Sequence, residues 1–145
     1  MQLDIISPYV IAFISAWVVA HTIKFIISQI KREKRSKRSY FYASGGMPSA
    51  HSATMVSLAV LIGFKIGFGS ALFAVTALLP MIVMYDAMMV RRSCGEQGLA
   101  LQELIKEQSS KVKIRYIALG HTPLEVFFGA ILGVIIAWVV FLATI

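Results

Sequence analysis

Cysteine is nearly absent from this sequence. Cys94 is the single one, so no intrachain disulfide can form and no cysteine-rich metal site can be assembled. Acidic residues are also scarce, 7 Asp and Glu against 14 Lys and Arg. In a soluble protein that imbalance would direct attention to nucleic acid. The soluble class is excluded by what dominates instead: 58% of the residues are hydrophobic and the mean hydropathy is +0.78, too apolar for a domain whose surface must be largely polar. The opening stretch MQLDIISPYVIAFISAWVVA lacks the cationic start of a secretory signal peptide and stays apolar past any plausible cleavage point, so it is expected to be a retained membrane helix. Internal repeats and low-complexity tracts are missing as well, and the 145 residues read as one membrane-embedded domain.

A spanning helix needs about twenty predominantly apolar residues, and the sequence offers four such segments, roughly 6 to 30, 50 to 67, 70 to 90 and 123 to 144. Lys65 and the GFGS turn at Gly67 to Ser70 separate the second from the third. Those two therefore read as a tight hairpin, with the Lys65 ammonium snorkelling to the interface. The stretch from Arg91 to Pro123 is too polar to cross. Within it Leu101, Leu104 and Ile105 recur at helical spacing against Glu103 and Glu107, a pattern that fits a short amphipathic helix at the interface or an ordinary solvated one. The expected fold is all-α: an integral membrane helical bundle with about four transmembrane helices and a short interfacial helix.

All of the 14 basic residues except Lys65 lie in or beside the first and third loops. Because positive loops stay in the cytoplasm, both long loops are expected there, with the termini and the GFGS turn outside. Most of the run KREKRSKRS, Lys31 to Ser39, is expected to fix this topology and to touch anionic lipid headgroups.

Chemistry concentrates in two stretches on that same side. In GGMPSAHSA, Gly45 to Ala53, glycines permit close backbone approach, Pro48 suits the first turn of a helix, and His51 projects near exposed amides that favour an anion such as phosphate. In RYIALGHTPLEVFFG, Arg115 to Gly129, Glu125 follows His121 by four residues. On a helix that spacing lets a carboxylate reach the imidazole, which would fix its tautomer and raise the nucleophilicity of the other nitrogen. Thr122 to Glu125 also fits a capping box, with Pro123 at the first helical position. Arg115 can bring a forked cation to the same place. Lys24 shares a polar helical face with His21, Ser28 and Lys31, and such a stripe in a membrane helix faces protein or a wet cavity. Asp86, in YDAMMVRR, can pair with a phosphate-binding cation or with an interfacial arginine, Arg91 or Arg92, and the sequence leaves both open. Gly129 and Gly133 form a GxxxG suited to close helix packing, within one subunit by default.

PSAH (Pro48 to His51) and R-x5-H-x3-E (Arg115, His121, Glu125) resemble the second and third motifs of the type 2 phosphatidic acid phosphatase superfamily, usually PSGH and SR-x5-H-x3-D. Lys24 with Lys31 or Arg32 resembles part of the first, K-x6-RP. The whole chain is similar to the small bacterial subfamily of divergent members. Ala50 stands where that pattern has glycine, Ile114 where it has serine, Glu125 where it has aspartate, and no proline follows Arg32.

The resemblance implies a metal-independent, cofactor-free hydrolysis of a phosphomonoester or pyrophosphate through a phosphohistidine. His121 would be the nucleophile, Glu125 its orienting carboxylate and His51 the acid. Arg115, Lys24, Lys31 or Arg32, Ser49 and backbone amides near Gly46 would hold the phosphoryl oxygens. Asp86 and Arg91 are candidates for supporting them. Placed at headgroup depth in a bacterial inner membrane, the expected substrate is a lipid phosphate: phosphatidic acid, phosphatidylglycerol phosphate or a polyprenyl phosphate. The alternative is a non-catalytic membrane protein that binds lipid phosphates as a regulator, scaffold or transport component. Nucleic acid is not an expected partner; a homo-oligomer is compatible with the sequence.

Overall fold

The computed structural model describes residues 7–30, 46–112, 114, 117 and 119–145. Helices account for the regular structure, and no strand occurs among the described residues. The elements are α1 (Pro8–Ile30), α2 (Ala50–Ile66), α3 (Ala71–Tyr85), a π-helical segment (Asp86–Val90), α4 (Arg91–Glu107) and α5 (Pro123–Ala143). Lys31, Arg32, the rest of the KREKRSKRS run and Arg115 lie outside the described residues.

Among the described residues, three stretches are long and apolar enough to cross a membrane: α1, the continuous helix Ala71–Glu107, and α5; α2 is a shorter apolar helix. At about 1.5 Å per residue, its 17 residues reach roughly 26 Å, just under a hydrocarbon core of about 30 Å. That shortness is tolerable because α2 is the centre of the bundle, packed by α1, α3 and α5.

Small residues allow the close approach. Without a hydrophobic drive between helices in lipid, packing favours faces on which backbones can meet. Ala12, Ala16 and Ala20 form a fully buried row on α1 at intervals of four, and Ala50, Ala53 and Ser57 bury the facing side of α2. The GxxxG of α5 closes on α2 from the other side. A Cβ built on Gly129 would lie 2.5 Å from the Ser49 carbonyl oxygen, and one on Gly133 would lie 2.6 Å from that of Ala53. The motif therefore serves packing within the subunit. Ile14, Val18, Leu78, Ile82, Ile135 and Trp138 point outward, the apolar exterior a bilayer solvates.

The hairpin follows its sequence signals. Gly67 has φ +105° and its N–H donates to the Gly63 carbonyl, while the Ser70 hydroxyl accepts the Phe73 N–H to start α3. Lys65 donates to the Thr144 carbonyl oxygen at 2.6 Å, so it satisfies the end of α5 where snorkelling alone was expected.

Two boundaries differ from the sequence reading. Pro48 precedes the helix, because Ser49 takes the N-cap: its side chain accepts the Ser52 N–H and α2 begins at Ala50. And the amphipathic pattern of Leu101, Leu104 and Ile105 does not belong to a separate interfacial helix; α4 continues α3 through the π segment without a break. The composition turns polar at Arg91, yet nothing from Arg91 to Glu107 is a proline, so the backbone ladder has no reason to stop there.

Candidate active site

The PSAH loop and the entrance to α5 meet directly. The Ser49 N–H donates to the Glu125 carbonyl oxygen at 2.9 Å, and Gly129, one turn further along α5, packs on the Ser49 backbone. This junction brings His51, the second residue of α2, to the same end of the bundle as His121, just before α5. The two imidazoles lie within electrostatic reach of one another.

His121 is 5% exposed and its Nδ1 lies 2.9 Å from Glu125 Oε2. The same carboxylate oxygen accepts the Thr122 N–H at 3.1 Å, and the Thr122 hydroxyl accepts the Glu125 N–H. The capping box and the imidazole contact thus coexist in one side chain. With the carboxylate on Nδ1, that nitrogen carries the donated proton and Nε2 keeps its lone pair. Burial lowers the His121 pKa from the ordinary histidine value; the Glu125 hydrogen bond and charge oppose the shift, and the Lys24 and Arg91 cations add to it. The net effect keeps the ring neutral near pH 7.

A contact outside the motif pattern holds His121 from behind. In an α-helix the Arg91 N–H would bond the Ala87 carbonyl; in the π segment it bonds Asp86 instead. Ala87 O accepts the His121 N–H at 3.0 Å. Gly120 makes the approach feasible. It has φ +67°, and a Cβ there would lie 2.6 Å from the Arg92 nitrogen. Its place before the histidine was the one available signal.

Of the expected phosphate ligands, Lys24 and Gly46 are together: Gly46, at φ +87°, lays the loop along the Lys24 stem, and Lys24 acts electrostatically on both His51 and His121. Ser49 is fully buried, with its hydroxyl used as the helix cap. Asp86 forms an ion pair with Arg91, and the Arg91 charge acts on both imidazoles. His21 also acts on His51; its ring lies 4.3 Å from that of Trp17, with Nδ1 at 2.9 Å from the Trp17 carbonyl oxygen. Ala50, where the resembled motif has glycine, is buried with Ala16, Ala20 and Ala53, so its methyl has a packing role against α1.

Comparison with known proteins places the chain in a family. A profile of the Divergent PAP2 family matches residues 6–136. The chain belongs to that family. It is also 35% identical over 146 residues to the uncharacterized membrane protein YuiD of Bacillus subtilis (strain 168), covering 88% of this chain and 87% of that one. No solved structure matches the chain. The match to the Divergent PAP2 family includes α1, the PSAH loop, the π segment and the HTPLE entrance to α5, so every element that builds the histidine cluster lies within it.

Proposed function

We propose that this membrane protein is a lipid phosphate phosphatase that works through a phosphohistidine. The observation that carries the reading is the buried His121 with its Nδ1 on Glu125, at the end of the bundle where His51 and Lys24 also gather. Phosphoryl transfer depends on positioning and on cations facing the charge that develops on phosphorus oxygens, and this cluster supplies both.

In the first step His121 Nε2 attacks phosphorus and the bond from phosphorus to the lipid oxygen breaks, while protonated His51 gives its proton to the departing oxygen. In the second, His51 takes a proton from water, whose oxygen attacks phosphorus; the P–N bond breaks and inorganic phosphate leaves. Lys24, Arg115 and either Lys31 or Arg32 balance the phosphoryl charge, with amides of the Gly46 loop beside them. A lipid substrate fits because the cluster lies at the ends of membrane helices, where a headgroup resides. The positive loops favour the cytoplasmic side.

The test is phosphate release by the purified protein in nanodiscs from phosphatidic acid, phosphatidylglycerol phosphate and a polyprenyl phosphate, with and without vanadate, beside His121→Ala. Release from at least one lipid, abolished by vanadate and by His121→Ala, is the expected result. Release that survives the loss of His121 removes the proposed nucleophile. Binding of these lipids without release from any of them favours the regulator or scaffold reading instead.

A further inference from the structure

The π segment has a second consequence beyond seating His121. On an α-helix, side chains three and four apart are neighbours, and those five apart diverge. Asp86 and Arg91 are five apart, yet Arg91 Nε bonds Asp86 Oδ2. The π turn takes in one extra residue, as the backbone bond from Arg91 N–H to Asp86 O records, so positions 86 and 91 come into line as i and i+4 do in α. One register change therefore frees the Ala87 carbonyl for the His121 amide and places a carboxylate behind the Arg91 guanidinium.

That grip uses Nε and leaves the two terminal nitrogens of Arg91, with four N–H bonds, as a fork of the geometry that suits phosphate. The pair is too solvent-exposed, with 48% and 36% of the two side chains accessible, to add much to stability. Its electrostatic reach is where it matters. Among the charges acting on His51, Arg91 exerts the strongest influence, ahead of His121 and Lys24, and it acts on His121 as well. Lys24 on α1 and Arg91 at the end of the π segment thus both act on the same two imidazoles.

We infer that Arg91 is a phosphoryl-binding cation of this site, aimed by Asp86 through the π turn, and that its ligand class is a phosphate monoester dianion. It stands outside the three sequence motifs, and its place in turnover rests on the phosphatase reading. Its capacity to bind a phosphoryl group does not, so binding and hydrolysis are tested apart.

Orthovanadate binding is measured by calorimetry on the full chain in nanodiscs, for the wild type, Arg91→Ala, Arg91→Lys and Asp86→Asn, with thermal unfolding as a check on folding. Arg91→Ala is expected to weaken binding at least tenfold, and methylguanidinium in the buffer to restore a good part of it, which a merely structural arginine would not allow. Arg91→Lys, keeping charge without the fork, falls between, and it serves the test alone if Arg91→Ala does not fold. Asp86→Asn weakens binding by a smaller factor and raises KM for the lipid phosphate more than it lowers kcat. Affinity within twofold of wild type in both Arg91 variants overturns the inference and leaves the phosphatase reading standing. Arg91-dependent orthovanadate binding by a wild type that hydrolyses no lipid phosphate supports the inference and overturns the phosphatase. A wild type that binds no orthovanadate overturns the inference outright.

Discussion

Glu125 ties three groups together at the start of α5 through its carboxylate and amide: the carboxylate meets His121 Nδ1 and the Thr122 amide, and its own amide meets the Thr122 hydroxyl. The spacing of four made the imidazole contact legible in the sequence, and the TPLE pattern made the cap legible. What spacing could not reveal is that both use the same oxygen. Because burial lowers the His121 pKa, kcat/KM should rise with pH along a limb centred below the ordinary histidine value of about 6.5, as the ring loses its proton and becomes a nucleophile. The Glu125 carboxylate raises that pKa, so Glu125→Gln should move the limb to lower pH while reducing kcat roughly 100-fold, within the usual range for a group that assists proton and charge transfer. A pH–rate series on both proteins checks this. A limb that moves upward in Glu125→Gln contradicts the assigned contact. Stability follows the same linkage: the unfolded chain binds the His121 proton more readily than the folded one, so the fold should lose stability as pH falls through the ordinary histidine range.

Between elements, glycine does different work at different places. Gly129 and Gly133 let α5 touch the α2 backbone, and GxxxG announced that in the sequence. Gly133→Ala must displace the Ala53 carbonyl or the helix itself, and should destabilise by about 1–3 kcal/mol, the range for overpacking. Gly69→Ala, where a Cβ meets nothing within 4 Å, should stay within about 0.5 kcal/mol of wild type. Thermal or denaturant unfolding of the two variants in one detergent compares them; equal losses would mean the α2–α5 contact is not tight. The π segment was illegible by contrast. A one-residue widening of a helix has no compositional signature, and YDAMMVRR reads equally well in either register. The same limit hid the continuity of α4 with α3, since a turn to polar side chains marks the end of a membrane environment and not the end of a helix. Deleting Met89 should return the segment to α register and withdraw the Ala87 carbonyl from His121, while Asp86 and Arg91, then four residues apart, stay neighbours on the helix. Activity should then drop at least tenfold with helix content retained by circular dichroism; undiminished turnover would show that the π turn has no part in the site.

The molecule as a whole is polarised. Lys24, Arg91, His51 and His121 gather at one end, while Lys65 and the Gly67 to Ser70 turn lie at the other, with Lys65 tied to the last turn of α5. That separation was legible because charge and hydropathy vary over tens of residues, the scale of whole helices, and such averages survive errors at any one boundary. The excess of cations at the site end predicts that it faces the cytoplasm, and Cys94 makes the orientation measurable. It is the sole cysteine, it is exposed, and it lies on the first turn of α4, three residues from Arg91. A membrane-impermeant maleimide should label Cys94 in inverted membrane vesicles and leave it untouched in intact cells. In a Cys94→Ser background, a cysteine placed at Gly69 should show the reverse pattern. If Cys94 reacts only from outside, the lipid phosphates of the inner leaflet cannot be the substrates, because their headgroups would lie a full membrane thickness from His121, and the search would move to lipids of the outer face. The chemistry within the cluster would be unchanged by that result, since it depends on which groups meet at one end of the bundle and not on which compartment that end adjoins.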